Sequence, residues 1–422
     1  MLALVGGLVF TSIALGQANA KTKLSDALYE FITINLLEQA NPDIHDESDP
    51  TIRMVLDRAN EELDDQFKDD PEIELKLRET IRSAYKSLGA YEQAKAQSEQ
   101  MIAIAEPLYG REDNRTLRKM HGLSTDLLDL SRFEDALEIC LEVYEIRKQK
   151  LGINHLETLQ IMNNLGACHM RLGNFKDAAI VLEDALEGKE IVLGVEDLST
   201  INTRHNLGSL KLSMGQYDDA ERLLKVVIEQ RVAQLGSSHP RVTRSRSVLA
   251  ATYFLRGEYE KCLEITDFAI KSIGDRLEPN HPMRLNLELT SIRALSGIGN
   301  HKEAWRRAKE HEASFKSEGN LYPEWLHRSA AIAHRAGDTQ AAVQLYEEYI
   351  DYHYDENQIA EECEFYIDFA SALESTGDIQ RSIDALKHAI ETLSNSQGDI
   401  KKRKELLKKI DYLGNQIDVQ DS

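Results

Sequence analysis

The chain has 422 residues, 42% of them hydrophobic and 29% charged, a globular mixture that excludes wholesale disorder. Its 50 basic and 72 acidic residues leave a net charge of −22, a field that repels phosphate backbones and excludes bulk nucleic-acid binding. Eight prolines and a 6% share of aromatics favour uninterrupted helices over sheet, and four cysteines are too few for a disulfide framework.

Met1 to Ala20 carries no charged residue, and Leu2 to Gly16 is apolar apart from Thr11 and Ser12. That run is shorter than the roughly 20 residues a membrane-spanning helix needs. It ends in Gln17-Ala18-Asn19-Ala20, which has the small-x-small form of a signal-peptidase site. No Lys or Arg precedes it; Lys21 and Lys23 follow it. Residues 1–20 are therefore expected to act as an export signal or a membrane anchor. The repeats would then lie outside the cytoplasm, in the cell envelope. Cytoplasmic location is the alternative, and the missing basic residues also fit a true start further upstream.

Residues 21–73 are expected to form a helical cap, with two helices between 24 and 67. Beyond them one phrase recurs. It reads Leu88-Gly89-Ala90-Tyr91-Glu92-Gln93-Ala94, then Leu172-Gly173-Asn174-Phe175-Lys176-Asp177-Ala178. It returns as Met214-Gly215-Gln216-Tyr217-Asp218-Asp219-Ala220 and Arg256-Gly257-Glu258-Tyr259-Glu260-Lys261-Cys262. A degenerate copy has Ser131 at the glycine position, and later copies centre on Gly299, Gly337 and Gly377. The anchors are 42 residues apart five times, then 38, then 40. Such a period signals stacked repeats.

Each repeat reads as two helices with the anchor in the turn between them, where glycine adopts a left-handed conformation cheaply. Five residues after each anchor stands Ala94, Ala136, Ala178, Ala220, Cys262, Ala304, Ala342 or Ser382. A small side chain there lets the second helix approach the first. Two residues after the anchor, Tyr91, Phe133, Phe175, Tyr217 or Tyr259 is placed to close the turn. Residues 394–422 complete the chain. Lys401 to Ile410 reads as an amphipathic capping helix and Asp418 to Ser422 as a polar tail.

Met162, Leu165, Gly166, His169, Ala178 and Leu182 stand where the tetratricopeptide repeat carries its signature, with His169 in place of the usual aromatic. Residues 74–393 therefore resemble a tetratricopeptide array. The 42-residue period exceeds the usual ~34. It is similar to that of kinesin light chains, as are the linkers Leu151 to His155, Leu235 to Pro240 and Pro279 to Pro282. The resemblance is strong through Gly257 and weakens after it. It implies an all-α, right-handed superhelical solenoid of about eight helix pairs with a two-helix N-terminal cap. A second resemblance covers Phe31 to Asp43 and Val55 to Ala59. It is to the extracytoplasmic flank of planctomycete-type bacterial serine/threonine kinases. No glycine-rich phosphate loop, His-Arg-Asp or Asp-Phe-Gly accompanies it, so it implies the sensor half of a truncated or split kinase as an alternative function.

No enzyme signature is present, and no cofactor, catalytic residue or metal site is expected. Cys140, Cys168, Cys262 and Cys363 lack zinc-type spacing. Three of them fall at packing positions and read as buried, inert thiols. His155, His239 and His281 recur with the period, which points to a turn role such as bonding to nearby backbone.

What remains is a surface. The tetratricopeptide resemblance implies that first helices line a concave groove and second helices face outward. The first helices at 157–172, 198–214 and 240–256 hold Arg171, Arg204, Lys211, Arg241, Arg244, Arg246 and Arg256 against the single acid Glu157. Asn163, Asn164, Asn202, His205 and Asn206 cluster at groove spacing. Asparagine clasps a peptide backbone through donor and acceptor, and arginine grips carboxylates with two donors. The candidate partner-binding residues are Asn163, Asn164, Arg171, Asn202, Arg204, His205, Asn206, Arg241 and Arg244. The expected partner is a protein or peptide segment, acidic in character. The chain is thus read as a non-catalytic interaction scaffold, with possible membrane association confined to residues 1–20. The competing expectation is that these residues pair with acids of neighbouring repeats.

Overall fold

The computed structural model describes residues 51–67, 69–352, 363–393 and 397–420. The signal or anchor expected at 1–20, and most of the kinase-like flank, lie outside the described residues, as does the first of the two expected cap helices. Among the described residues there are eighteen α-helices, one short 3-10 turn at Gly274–Arg276 and no strand. None of these helices is long and apolar enough to cross a membrane.

The first helix, α1 (Ile52–Gln66), precedes eight helix pairs. These are α2 (Pro71–Ser87) with α3 (Tyr91–Tyr109), α4 (Asn114–Asp129) with α5 (Phe133–Leu151), and α6 (Leu156–Arg171) with α7 (Phe175–Leu193). Next come α8 (Leu198–Ser213) with α9 (Tyr217–Leu235), α10 (Pro240–Leu255) with α11 (Tyr259–Ile273), and α12 (Pro282–Gly297) with α13 (His301–Glu318). The last are α14 (Tyr322–Ala336) with α15 (Thr339–Tyr352), and α16 (Cys363–Thr376) with α17 (Ile379–Glu391). A final helix, α18 (Gln397–Gln420), extends past Asp418, where the polar tail was expected to begin. The fold is the helical solenoid of the tetratricopeptide type. Its contacts divide it into two compact units, one ending at Asn206 and one beginning at Leu207.

The turn inside each pair is built as the sequence implies. The anchor has positive φ in every copy, from 60° at Ser131 to 90° at Gly337. Ser131 holds φ 60° and is the one described non-glycine residue with positive φ. In each turn the residue after the anchor donates its amide back to the carbonyl five residues earlier. Examples are Ala90 to Tyr85 at 2.9 Å and Asn174 to His169 at 2.8 Å. The anchor amide bonds a carbonyl three residues earlier, so the last open carbonyls of the first helix are satisfied.

The small residue five positions on is fully buried in all eight pairs, from Ala94 to Ser382. Close packing of the two helices depends on it. The signature glycine acts the same way: a Cβ at Gly166 would sit 2.5 Å from Leu182 Cγ. Cys140, Cys168 and Cys262 are completely buried, whereas Cys363 is half-buried. The turn aromatics are less enclosed than the alanines, and Tyr91 remains 38% exposed. In the later repeats the core becomes aromatic. Trp325, Tyr346 and Phe365 are buried, with Tyr346 and Phe365 edge-to-face at 5.2 Å. On α18, Leu406 and Leu413 are buried, and Lys402 and Lys409 pair with Glu364 and Glu374 of α16.

Between repeats the chain enters five of the first helices, α4, α6, α8, α10 and α12, through a side-chain cap. Asp113 accepts from the Arg115 amide at 2.8 Å, and Asp197 from Ser199 at 2.7 Å. His155, His239 and His281 accept through Nδ1 from the amides two residues on, at 3.3, 3.1 and 3.1 Å. The recurring histidines therefore do turn work, standing in for the Asp that usually caps.

Candidate functional site

In the first unit the polar first-helix residues form a ladder between repeats. Asn164 on α6 donates through Nδ2 to Ser124 Oγ (3.2 Å) and Thr125 Oγ1 (3.1 Å) on α4. Asn163 Oδ1 accepts from Thr203 Oγ1 (3.2 Å) and from Asn206 Nδ2 (3.0 Å) on α8. These bonds spend one end of each amide and fix its orientation. The Oδ1 atoms of Asn164 and Asn206 have no hydrogen-bond partner among the described residues, and both side chains are half-exposed. The result is a row of oriented acceptors on successive first helices. Asn202 is half-exposed, and His205 is buried beside them at 7% exposure.

The arginines divide. Arg171 is exposed, its guanidinium 5.9 Å above the Phe133 ring. Arg204 is buried and turned toward the second helix of the preceding pair. Its Nη2 donates to Glu190 Oε1 at 2.7 Å and its Nη1 to the Val195 carbonyl at 3.3 Å. Arg204 thus holds a turn together rather than presenting its charge to a groove.

In the second unit Arg241 and Arg244 are exposed and make no ion pair with an acid among the described residues. Arg246, two positions on, is buried: it donates to the Ser237 carbonyl at 2.8 Å and lies 4.6 Å from the Phe268 ring. Burial pushes its pKa down. Arg256 is tied to Asp218 (2.7 Å), Glu221 and Glu258. The cation excess counted along the three first helices therefore shrinks in space. Arg204 and Arg256 pair with acids, Arg246 is spent on a carbonyl and a ring, and Arg171, Arg241 and Arg244 keep exposed charge.

Sequence reasoning missed a second feature, in the later repeats. A concavity of about 240 Å³ is lined by Phe254, Arg293, His327, Arg328, Arg335 and Asp368, among others. Arg293 lies 4.5 Å from the Phe254 ring and reaches Glu324 only at 3.5 Å. Its pKa is pushed down by burial and by Arg328. The same two causes push the His327 imidazole down to about 4, so it is neutral. Burial raises the Asp368 carboxyl. Carrying the charge count past residue 256 into α12 and α14 was the signal that would have found these arginines. Among the described residues no group of three or more His, Cys, Asp or Glu side chains could hold a metal ion.

The tetratricopeptide-repeat family model matches residues 115–191 and 199–265, less than half of the chain. The chain therefore carries tetratricopeptide repeats there. No curated protein matches the sequence. Among solved structures, the apo form of the quorum sensor NprR from B. thuringiensis is 14% identical. The two share a TM-score of 0.59 over 89% of this chain and 99% of that one. A Rap protein complexed with Competence and Sporulation Factor is also 14% identical, with a TM-score of 0.55 over 82% and 99%. The nearly identical TPR-like repeats of a putative kinesin light chain from Podosopora anserina are 24% identical. Their TM-score is 0.43, covering 48% of this chain and 96% of that one. These likenesses concern the fold, and no catalytic family is indicated.

Proposed function

We propose that the chain is a non-catalytic scaffold that binds an extended protein or peptide segment, acidic in character, on its first-helix face. The observation that carries this reading is the asparagine ladder. Asn164 and Asn206 are each held by one amide end and leave an oriented carbonyl oxygen open at half-exposed positions. A peptide's backbone amides are the natural donors for such a row. The exposed, unneutralised Arg241 and Arg244 of the second unit support the acidic preference, and Arg171 supports it in the first. Arg204 drops out of the contact set because its charge is spent on Glu190. The fold supports the reading as well: tetratricopeptide arrays commonly serve as interaction scaffolds, and a Rap protein of similar fold is complexed with Competence and Sporulation Factor.

The test begins with capture of bound proteins by the whole chain and identification of the segment they share. That segment is then titrated against variants. Asn164→Ala and Asn206→Ala should weaken binding. Arg244→Glu should weaken it more than Arg244→Ala, because it adds repulsion to a lost contact. If these variants bind like the wild type while Glu221→Lys on a second helix abolishes binding, the first-helix face is not the working surface.

A further inference from the structure

The concavity of the later repeats is lined by three arginines, of which Arg328 and Arg335 are exposed at its rim and Arg293 is more enclosed. Arg328 and Arg335 form no hydrogen bond or ion pair among the described residues, and Arg293 meets its acid only at 3.5 Å. Two second-helix arginines are handled differently: Arg306 is gripped by Glu303 and Glu310 at 2.8 and 2.9 Å, and Arg222 by Asp219 at 2.8 Å. Burial, and after it the charge of Arg328, pushes the Arg293 pKa down. Asp368 lines the same cavity and makes no ion pair with Arg335 among the described residues, although the arginine's charge reaches it.

We infer that this cavity is an oxyanion site that takes a phosphomonoester group. The choice of phosphate over carboxylate follows from donor number. A carboxylate offers two oxygens, which one or two guanidinium forks saturate. Three forks match the three terminal oxygens and near-double charge of a phosphomonoester. The Phe254 ring and the neutral His327 ring give the cavity walls against which an apolar carrier of the phosphate can pack. Asp368 is the one acid on the wall. Its raised carboxyl, when protonated, donates a hydrogen bond to a phosphate oxygen, and when ionised it opposes the ligand. This inference does not depend on the peptide reading above, because the ligand group is recognised in the second unit alone.

The test is calorimetric titration of the whole chain with phenyl phosphate, with phenyl sulfate as a probe of the same shape and lower charge. Phenyl phosphate should bind saturably and more tightly than phenyl sulfate. Arg328→Gln and Arg335→Gln should each weaken it by about tenfold or more, the scale of one lost charge-assisted hydrogen bond. Arg306→Gln, on an ion-paired second-helix arginine, should change nothing. A short alanine peptide carrying one phosphotyrosine then identifies the source of the group. Binding at least as tight as phenyl phosphate assigns the site to a phosphorylated protein segment, and exclusion of the peptide assigns it to a small ester. Absence of saturable phenyl phosphate binding by the wild-type chain overturns the inference, as does equal binding by the wild type, Arg328→Gln and Arg335→Gln.

Discussion

Two successive junctions of the first unit solve one problem in different ways. Arg147 near the end of α5 and Lys189 near the end of α7 are one period apart, and both are buried, at 1% and 2% exposure. Arg147 is answered by an acid two residues beyond the cap of the next helix. Its Nη2 lies 3.0 Å from Glu157 Oε2, and its Nη1 donates to the Glu157 carbonyl at 3.0 Å. At the second junction that position is Ser199, and Lys189 donates instead to Thr203 Oγ1 at 2.8 Å. The acid has moved to the cap: His155 caps the first junction and Asp197 the second, where its charge supports Lys189 from a distance. Each junction holds one buried cation and one acid, but only the first puts them in contact. These two junctions bury a cation at the same register and differ in how it is satisfied. A third junction carries this further. Arg231 is buried at the same register, with His239 and Arg241 at the two positions. It donates to Ser245 Oγ at 2.6 Å and to the Arg241 carbonyl at 3.0 Å. Burial, Arg241 and Arg244 lower its pKa to about 10.

The largest effect should come from breaking the contact pair. Glu157→Gln leaves Arg147 charged and buried without its carboxylate, and also removes the partner of Arg118. Loss of one member of a buried pair costs about 3 to 5 kcal/mol. Denaturant unfolding should show that loss, and Arg147→Met in the same chain should recover most of it. If Glu157→Gln is as stable as the wild type, contact between cation and acid is not what holds the first junction.

Lys189 gives the next effect, and it carries a pH signature. Burial lowers its pKa to about 8, against roughly 10.4 for a free lysine. Between these values the unfolded chain keeps the proton and the folded chain has released it, so stability rises with pH across that window. Below pH 8 the cost of burying the charge is fully present. The difference amounts to about 3 kcal/mol. Lys189→Met should remove the slope, and should be more stable than the wild type at pH 7 by a similar amount. Thr203 keeps its bonds to Asn163 and to the Ser199 carbonyl in that variant. Parallel stability curves for the two proteins from pH 7 to 10 would show that Lys189 is not desolvated.

Much of the architecture was legible in the sequence because it rests on local rules. A residue that must hold positive φ selects glycine, so Gly89 to Gly377 announced the turns, and even Ser131 was placed by its spacing. A fully buried contact between two helices selects a small residue, so Ala94 to Ser382 announced the packing. The recurring His155, His239 and His281 announced the caps. The charged surface was less legible. Arg204 and Arg246 lie on first helices as counted, and Arg256 caps the end of one, but an arginine is long enough to turn aside. Whether it does depends on Glu190, Ser237 or Asp218, residues of neighbouring segments that a count along one helix omits. The later concavity was hidden for a related reason. The charge count stopped at residue 256, and Arg293, Arg328 and Arg335 stand at three different offsets from their anchors, so no repeated position drew attention to them.

A third test separates the junctions from the packing between helices. Ala178→Leu forces a larger side chain into a fully buried contact and should cost roughly 1 to 3 kcal/mol. Ser213→Leu, at an exposed position, should cost far less. Equal costs would mean that the alanine column is not the close-contact seam.

The smallest effect concerns the caps, and it asks whether the two junctions are interchangeable. His155 and Asp197 do the same work by different atoms: a ring nitrogen at 3.3 Å from the Glu157 amide, and a carboxylate oxygen at 2.7 Å from the Ser199 amide. Removing either acceptor leaves a helix amide without its partner, which typically costs ~1 kcal/mol, so His155→Ala should lower stability by about that much. His155→Asp keeps an acceptor and adds a negative charge at a helix N-terminus, where the helix dipole favours it. It also builds the second junction's cap onto the first. Stability should then equal or exceed that of the wild type by a few tenths of a kcal/mol. Asp197→His is the sharper half of the exchange. It keeps an acceptor but removes the charge that supports Lys189, so the lysine pKa should fall below 8 and the pH slope should extend to lower pH. If Asp197→His leaves that slope where it was, the acid at the second junction serves the helix alone. The two junctions would then differ in kind, with the first cation paired and the second carried by its hydroxyl partner without help from charge.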